Sequence, residues 1–417
     1  MNSNQLPKNL VLKTACSKTD ISRIAEFNKL IHEGVAVELF VKNLIKKHPT
    51  HAEQYWMFIE DSDKKLVVSS ICLIPWELKL CGITVKAAEL GFVGTLAEYR
   101  SKGLINILMQ AFFAQAEKDG YTVSIIQGIP YYYRRFGYEY AIQLENHIDI
   151  ELRHITGSGK KQYSFVKVQK KDTPTLQKLY NRRMADYDIS AVRTKAMWEY
   201  LLGPAQKADT VHDNYMIKNK KNEAIGYFRI AHHGFGEGLM IDETSCLNTV
   251  MMEEIFSFAR TIAENREKPS VQLILPLEHE LSQYAVSCGG RITMEYGWQV
   301  KVLGHVKLFQ LLKPVMEKRI AQSSFRGLTK KLLFNFYKDT IEFEIQKGSI
   351  RLIQSKGWHE QTEVMIPPFL VPQLLFGWKN FSELKSIYPD VWCSEKKEAA
   401  LFEILFPKLS GYLHLMY

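Results

Sequence analysis

Residues 89–140 read "ELGFVGTLAEYRSKGLINILMQAFFAQAEKDGYTVSIIQGIPYYYRRFGYEY". The order is a strand, a basic glycine turn, an amphipathic helix, a second strand and an aromatic elbow. The β-rich run from Leu90 to Thr95 feeds Arg100-Ser101-Lys102-Gly103, and after Gly103 the apolar residues Leu104, Leu108, Phe112 and Ile105, Met109, Phe113 recur at helical spacing. The turn is therefore expected at a helix N-terminus. Unpaired amides, the positive end of the helix dipole and two cationic side chains suit a polyphosphate there, and a glycine lets it approach the backbone.

At Arg100-Ser101-Lys102-Gly103-Leu104-Ile105 the chain resembles the GNAT N-acetyltransferase superfamily, whose coenzyme signature is R/Q-x-x-G-x-G/A between a strand and a helix. Ile105 departs from the Gly or Ala of that signature. The helix start Leu104-Ile105-Asn106-Ile107-Leu108-Met109, followed by Tyr133-Arg134-Arg135-Phe136-Gly137-Tyr138, is similar to the enhanced intracellular survival (Eis) acetyltransferases. A weaker likeness in "PQLLFGWKNFSEL", residues 372–384, is to the sterol-carrier-like domain that ends such chains. The resemblance implies acetyl-CoA as cosubstrate, an amine acceptor and a homo-oligomer, a hexamer in Eis-type proteins.

Composition agrees with an intracellular enzyme. At 417 residues, 46% hydrophobic and 24% charged, the chain has enough apolar material for two or three domains. "MNSNQLPKNLVLKTACSKTD" is polar and mixed, unlike a signal peptide, and the longest apolar runs, such as 66–75, are too short to span a membrane. A cytoplasmic protein without a membrane partner is expected. Cys16, Cys72, Cys81, Cys246, Cys288 and Cys393 are scattered, with no C-x-x-C pair, and read as buried, reduced small hydrophobes; no metal is expected. His232-His233 precedes Gly234-Phe235-Gly236-Glu237-Gly238, which reads as a hairpin turn because its glycine spacing is wrong for a dinucleotide fingerprint. The net charge of +9 comes from dispersed pairs such as Lys46-Lys47 and Arg182-Arg183, which argues against nucleic acid.

The fold class expected is α+β (mixed α/β): tandem GNAT folds, each a mixed central sheet flanked by helices, followed by a small sterol-carrier-like α+β domain. Residues 1–150 form the expected catalytic unit, with a strand near Leu10, a helix from Asp20, and a hairpin turning at Asp61-Ser62-Asp63. The polar segment Gly157 to Gln162 marks a boundary. Residues 151–303 repeat the pattern, but the equivalent turn, Leu247-Asn248-Thr249-Val250, has neither cation nor glycine, so a degenerate copy without coenzyme is predicted. Residues 304–417 form the third unit, with a helix over 308–320, a hairpin turning at Lys347-Gly348, and helices in 369–386.

Acetyl transfer to an amine needs a polarised thioester carbonyl, an acid for the departing thiolate and a base for the amine. Amides of Val93, Gly94 and Thr95 can face the acetyl oxygen as an oxyanion hole does. The pyrophosphate is expected on Arg100, Ser101, Lys102, Gly103, Leu104, Ile105 and Asn106, with further contacts from Gly128 and Ile129. By the Eis resemblance Tyr133 is the acid; a phenol's pKa of about 10 lies near that of a thiol. Tyr131, Tyr132 and Tyr138 compete with it. The resemblance also implies that the base is the free carboxylate of the last residue, Tyr417. Its rival is Glu89, at the start of the strand before the loop, sharing a face with Gly91, Val93 and Thr95. A different class of function is a non-catalytic module that senses acetyl-CoA or holds a lipid or partner.

Overall fold

The structure, a computed structural model, describes residues 6–32, 35–51, 55–157, 159, 161–207, 210–234 and 236–417. Residues 1–5, Ser158 and Lys160 of the boundary segment and Phe235 of the glycine-rich turn lie outside the described residues. Strand β1 (Leu10–Thr14) pairs antiparallel with β2 (Tyr55–Asp61), β2 with β3 (Leu66–Leu80), and β3 with β4 (Ile83–Thr95). Helices α1 (Lys18–Ile31) and α2 (Val35–Lys47) connect β1 to β2. Helix α1 starts two residues before the expected Asp20, because Ser17 is the cap. Its hydroxyl accepts from the Asp20 amide while the Asp20 carboxylate accepts from the Ser17 amide, so Asp20 is the far half of a capping box. The β2–β3 turn is held by Asp61, whose Oδ1 accepts from the amides of Asp63 and Lys64.

Helix α3 (Leu104–Lys118) follows β4, then β5 (Val123–Ile126), a tight 3₁₀ turn over Tyr132–Phe136, and β6 (Glu139–Glu151). The pattern then recurs through β7 (Ser164–Lys167), α4 (Thr173–Met184), β8 (Ile189–Ala191), α5 (Lys195–Leu201), β9 (His212–Lys218), β10 (Ala224–Ala231), β11 (Leu239–Thr244), α6 (Thr249–Asn265), β12 (Ser270–Ile274), α7 (Glu280–Ser287) and β13 (Arg291–Val302). Strand β4 is parallel to β5, and β11 is parallel to β12, each pair joined by one helix. The two halves exchange their last strands. Strand β13 pairs with β5, and β6 pairs with β12, while β6 and β13 pair with each other along nearly their full length. One 14-stranded mixed sheet results among the described residues.

The remainder is helix α8 (His305–Ala321), strands β14 (Lys330–Asn335), β15 (Thr340–Gln346), β16 (Ser349–Ser355) and β17 (Val364–Met365), helices α9 (Val371–Leu375) and α10 (Phe381–Ile387), β18 (Trp392–Cys393), α11 (Lys396–Leu405) and β19 (Gly411–Tyr412). Strands β14–β18 form a separate five-stranded sheet. Its hairpin turns at Lys347 and Gly348, at φ 49° and 83°, the pair of positive angles a type I′ turn requires. Strand β19 leaves this unit and inserts between β6 and β8, and β8 pairs with β3. The pairings β3–β4–β5–β13–β6–β19–β8–β3 therefore close into a ring. Trp76, Trp298, Ile142, Leu413 and Met416 pack in the core along it. Of the six cysteines, all free, Cys72 and Cys393 are buried as expected, whereas Cys16 is exposed, at the start of α1. Among the described residues no helix is long and apolar enough to cross a membrane.

Candidate active site

Strand β4 is bulged where the site begins. Ser70 pairs with Gly94 and Cys72 with Gly91, so three steps on β4 oppose two on β3, and Phe92 takes up the extra length at φ 51°. Pairing of β4 with β5 stops at Glu89–Ile125, while β4 runs on to Thr95. The two strands part at this point. Beside the splay lies a cleft of about 710 Å³ lined by Val93, Gly94, Thr95, Arg100, Ser101, Gly103, Leu104, Ile105, Asn106, Ile129, Tyr132, Tyr133 and Arg135, together with Ile31 and Tyr99.

Gly103 is the N-cap of α3 at φ 74°, and no side chain caps the helix. The Asn106 amide turns back to the Gly103 carbonyl at 3.0 Å, which leaves the amides of Leu104 and Ile105 to meet an anion, with Ser101 also in the left-handed region at φ 61°. Arg100 donates from Nε to the Thr95 carbonyl at 3.3 Å and lines the cleft. Lys102 does not line it; its ammonium lies 4.6 Å from the centre of the Tyr99 ring. Arg135 donates to the Asn106 side chain at 3.0 Å, bringing a second guanidinium to the helix start that the motif does not include. Gly128 lies behind the cleft wall. Its carbonyl accepts from Gln299 at 2.9 Å and from Tyr296, and an added Cβ would meet the Tyr133 ring.

The four tyrosines separate by environment. Tyr131 is 78% exposed, and Tyr138 is fully buried with its hydroxyl 2.7 Å from Ser124. Tyr132 and Tyr133 line the cleft. Tyr133 is buried to 5% exposure, and burial pushes its phenol well above the usual range, so it stays protonated.

Across β4, on the face covered by α1 and α2, the end of the chain meets Glu89. The Tyr417 hydroxyl donates to Glu89 Oε1 at 2.5 Å and Trp76 Nε1 donates to Oε2 at 2.7 Å; Gln127 donates to the Tyr417 hydroxyl at 3.2 Å. Glu89 is 2% exposed. Burial raises its carboxyl to about 7, against the lowering effect of the two hydrogen bonds. Two anchors hold the tail. His48 Nε2 lies 2.9 Å from the Met416 carbonyl, and Arg193 donates to the Leu415 carbonyl at 2.6 Å. Arg193 is itself buried against Glu243 at 2.8 Å, with Arg229 and Tyr227 on the same carboxylate. No local motif marks Trp76, Gln127, His48 or Arg193, because only the closed ring of strands brings them to the tail.

The corresponding strand-to-helix turn of the second half is occupied by its own side chains. Asn248 caps α6 through the Met251 amide at 2.9 Å, and Glu280 accepts from the Leu247 amide at 2.9 Å. Side chains thus occupy this turn, where no side chain caps α3.

Residues 21–141 match the acetyltransferase (GNAT) domain family. No curated protein matches the chain. Among solved structures, a conserved protein of unknown function from Enterococcus faecalis, described as a probable N-acyltransferase, aligns with 98% of this chain and 100% of its own at 13% identity, TM-score 0.74. A GCN5-related N-acetyltransferase from Anabaena variabilis gives 97% and 99% at 15% identity, TM-score 0.71. The Eis protein of Mycobacterium abscessus gives 97% and 99% at 11% identity, TM-score 0.61. At such identities the likeness is one of fold, and it runs the full length of the chain.

Proposed function

We propose that the protein is an acetyl-CoA-dependent N-acetyltransferase of the Eis type. The observation that carries this reading is the uncapped N-terminus of α3, opening with left-handed Gly103 into a cleft that runs along a bulged, splayed β4. Acetyl-CoA supplies an acetyl group on a thioester; transfer forms an amide C–N bond and breaks the C–S bond. The residues present fit it. Amides from Ser101 to Ile105, with Arg100 and Asn106 beside them, would hold the pyrophosphate, and the re-aimed backbone of Val93, Gly94 and Thr95 would orient the acetyl oxygen. Tyr133, kept protonated by burial, gives its proton to the sulfur.

The terminal carboxylate of Tyr417 takes the proton of the amine in this reading. A second assignment has a specific observation behind it: Glu89, buried, hydrogen-bonded to Tyr417 and raised to about 7, is matched to proton transfer at neutral pH. We take residues 1–150 as the catalytic unit, 151–303 as a degenerate unit whose Arg193 helps to anchor the tail, and 304–417 as a sterol-carrier-like unit. A hexamer in the cytoplasm, with a small-molecule or lysine amine as acceptor, completes the proposal. The test is acetyl-CoA titration by calorimetry with release of free thiol in the presence of amines. One coenzyme per chain with amine-dependent thiol release is expected; two per chain, or binding without release, refutes it.

A further inference from the structure

Tyr133 lines the cleft, but its hydroxyl makes no hydrogen bond among the described residues, so the packing of its ring decides where that hydroxyl stands. Tyr132 and Tyr138 meet the ring edge to face at 5.0 and 6.2 Å between centres. Beneath it lies Gly128, where an added Cβ would overlap Cδ2 and Cε2 of the ring. Gly128 stands two residues past the end of β5, outside the ladder of that strand, and it is held from the other half of the chain. Gln299 of β13 pairs with Ile126 of β5 on one side and with Tyr140 of β6 on the other. Its Nε2 donates to the Gly128 carbonyl at 2.9 Å and to the Ile129 carbonyl at 3.3 Å, and Tyr296 of the same strand also donates to Gly128. The register of β6 on β13 slips between Trp298 and Gln299, the kind of irregularity that re-aims a side chain.

Gln299 is 1% exposed, and its Oε1 is buried with no partner among the described residues. An acceptor left dry destabilises the fold, so packing alone would favour an apolar residue here. What the side chain returns is its grip on two successive carbonyls. Resting on the acetyl-transfer reading with Tyr133 as acid, we infer that Gln299 is a positioning residue for the reaction: by holding Gly128 it sets the place of the Tyr133 ring, and with it the reach of the hydroxyl to the departing sulfur. The second half of the fold thereby takes part in the chemistry, because the strand it lends to β5 carries this residue.

The test is a double-mutant cycle on Gln299→Met and Tyr133→Phe, read as single-turnover thiol release at saturating acetyl-CoA with the best of tryptamine, spermidine and kanamycin. Methionine keeps the length and drops both N–H donors. Gln299→Met should slow the parent by about tenfold, within the roughly hundredfold that a misplacement of about 1 Å costs. It should slow Tyr133→Phe by less than about twofold, since no hydroxyl is left to place, with acetyl-CoA affinity by calorimetry kept within about twofold. Tyr296→Phe removes one donor to Gly128 and keeps the ring; it should repeat the pattern at about threefold and carries the test if Gln299→Met does not fold. An equal loss in both backgrounds, a loss that lies in coenzyme affinity, or a Gln299→Met protein as fast as the parent overturns the inference alone. If the parent turns over and Tyr133→Phe does so equally well, the acid assignment falls and this inference with it. If acetyl-CoA binds and none of the three amines releases thiol, the acetyl-transfer reading falls too.

Discussion

Tyr417→Phe removes one oxygen, the donor 2.5 Å from Glu89, and leaves both the ring packed on Phe40 and the terminal carboxylate. Its effect on stability should depend on pH in a calculable way. Glu89 titrates at about 7 in the folded protein against an ordinary 4.5, so between these values the native state binds the extra proton. Stability from this group is therefore fully present below 4.5 and falls as pH rises to about 7, by about 3 kcal/mol at 1.36 kcal/mol per unit. In the variant, a protonated Glu89 loses a neutral hydrogen bond, about 1 kcal/mol, whereas an ionised one loses a charge-assisted bond, about 1.5–3 kcal/mol. The difference between parent and variant should widen by about 1–2 kcal/mol between pH 6 and 9, equivalent to raising Glu89 by about one further unit. Urea denaturation of both proteins at half-unit steps measures it, and subtraction cancels every other titrating group. A constant difference across that range would refute the hydrogen bond to an ionising Glu89. The same variant reads the base: the acid limb of the kcat/KM profile moves up with Glu89 as base and stays in place with the terminal carboxylate.

Gly103→Val places a β-branched residue at φ 74° and a side chain over the open amides, and calorimetry should find acetyl-CoA binding abolished. Tyr133→Phe should keep coenzyme affinity and lose about 10² in turnover, the scale of a lost general acid; activity within about twofold of the parent would make Tyr133 packing. Deleting Tyr417, or appending a polar tail that turns its carboxylate into an amide, should abolish acetylation while Glu89→Gln retains most of it. The reverse pattern makes Glu89 the base. Arg193→Met strands the Glu243 carboxylate with one guanidinium fewer and frees the Leu415 carbonyl, so denaturation should show a loss of about 3–5 kcal/mol.

The cofactor end of the site was legible in the chain because its chemistry is local. Arg100, Ser101, Gly103 and Asn106 lie within seven consecutive positions at one strand-to-helix turn, and the strand and helix around it declare themselves by periodicity. The same locality marks the second turn as different, since Leu247-Asn248-Thr249-Val250 carries neither a cation nor a glycine; that Asn248 caps the helix there is seen only in the structure. The elbow tyrosines were legible as a cluster but not as individuals: burial of Tyr138 against Ser124 and exposure of Tyr131 depend on what the elbow packs against. The β4 bulge at Phe92 and the ring it leads to were not legible at all. Register and strand order are decided by which long-range pairings bury the most surface together. Nothing in β6 or β13 taken alone says that they trade places, or that β19 closes the sheet between β6 and β8. Glu89 and Tyr417 stand 328 positions apart, and only that closure, with Arg193 and His48 holding the tail, turns two unrelated residues into one hydrogen-bonded pair.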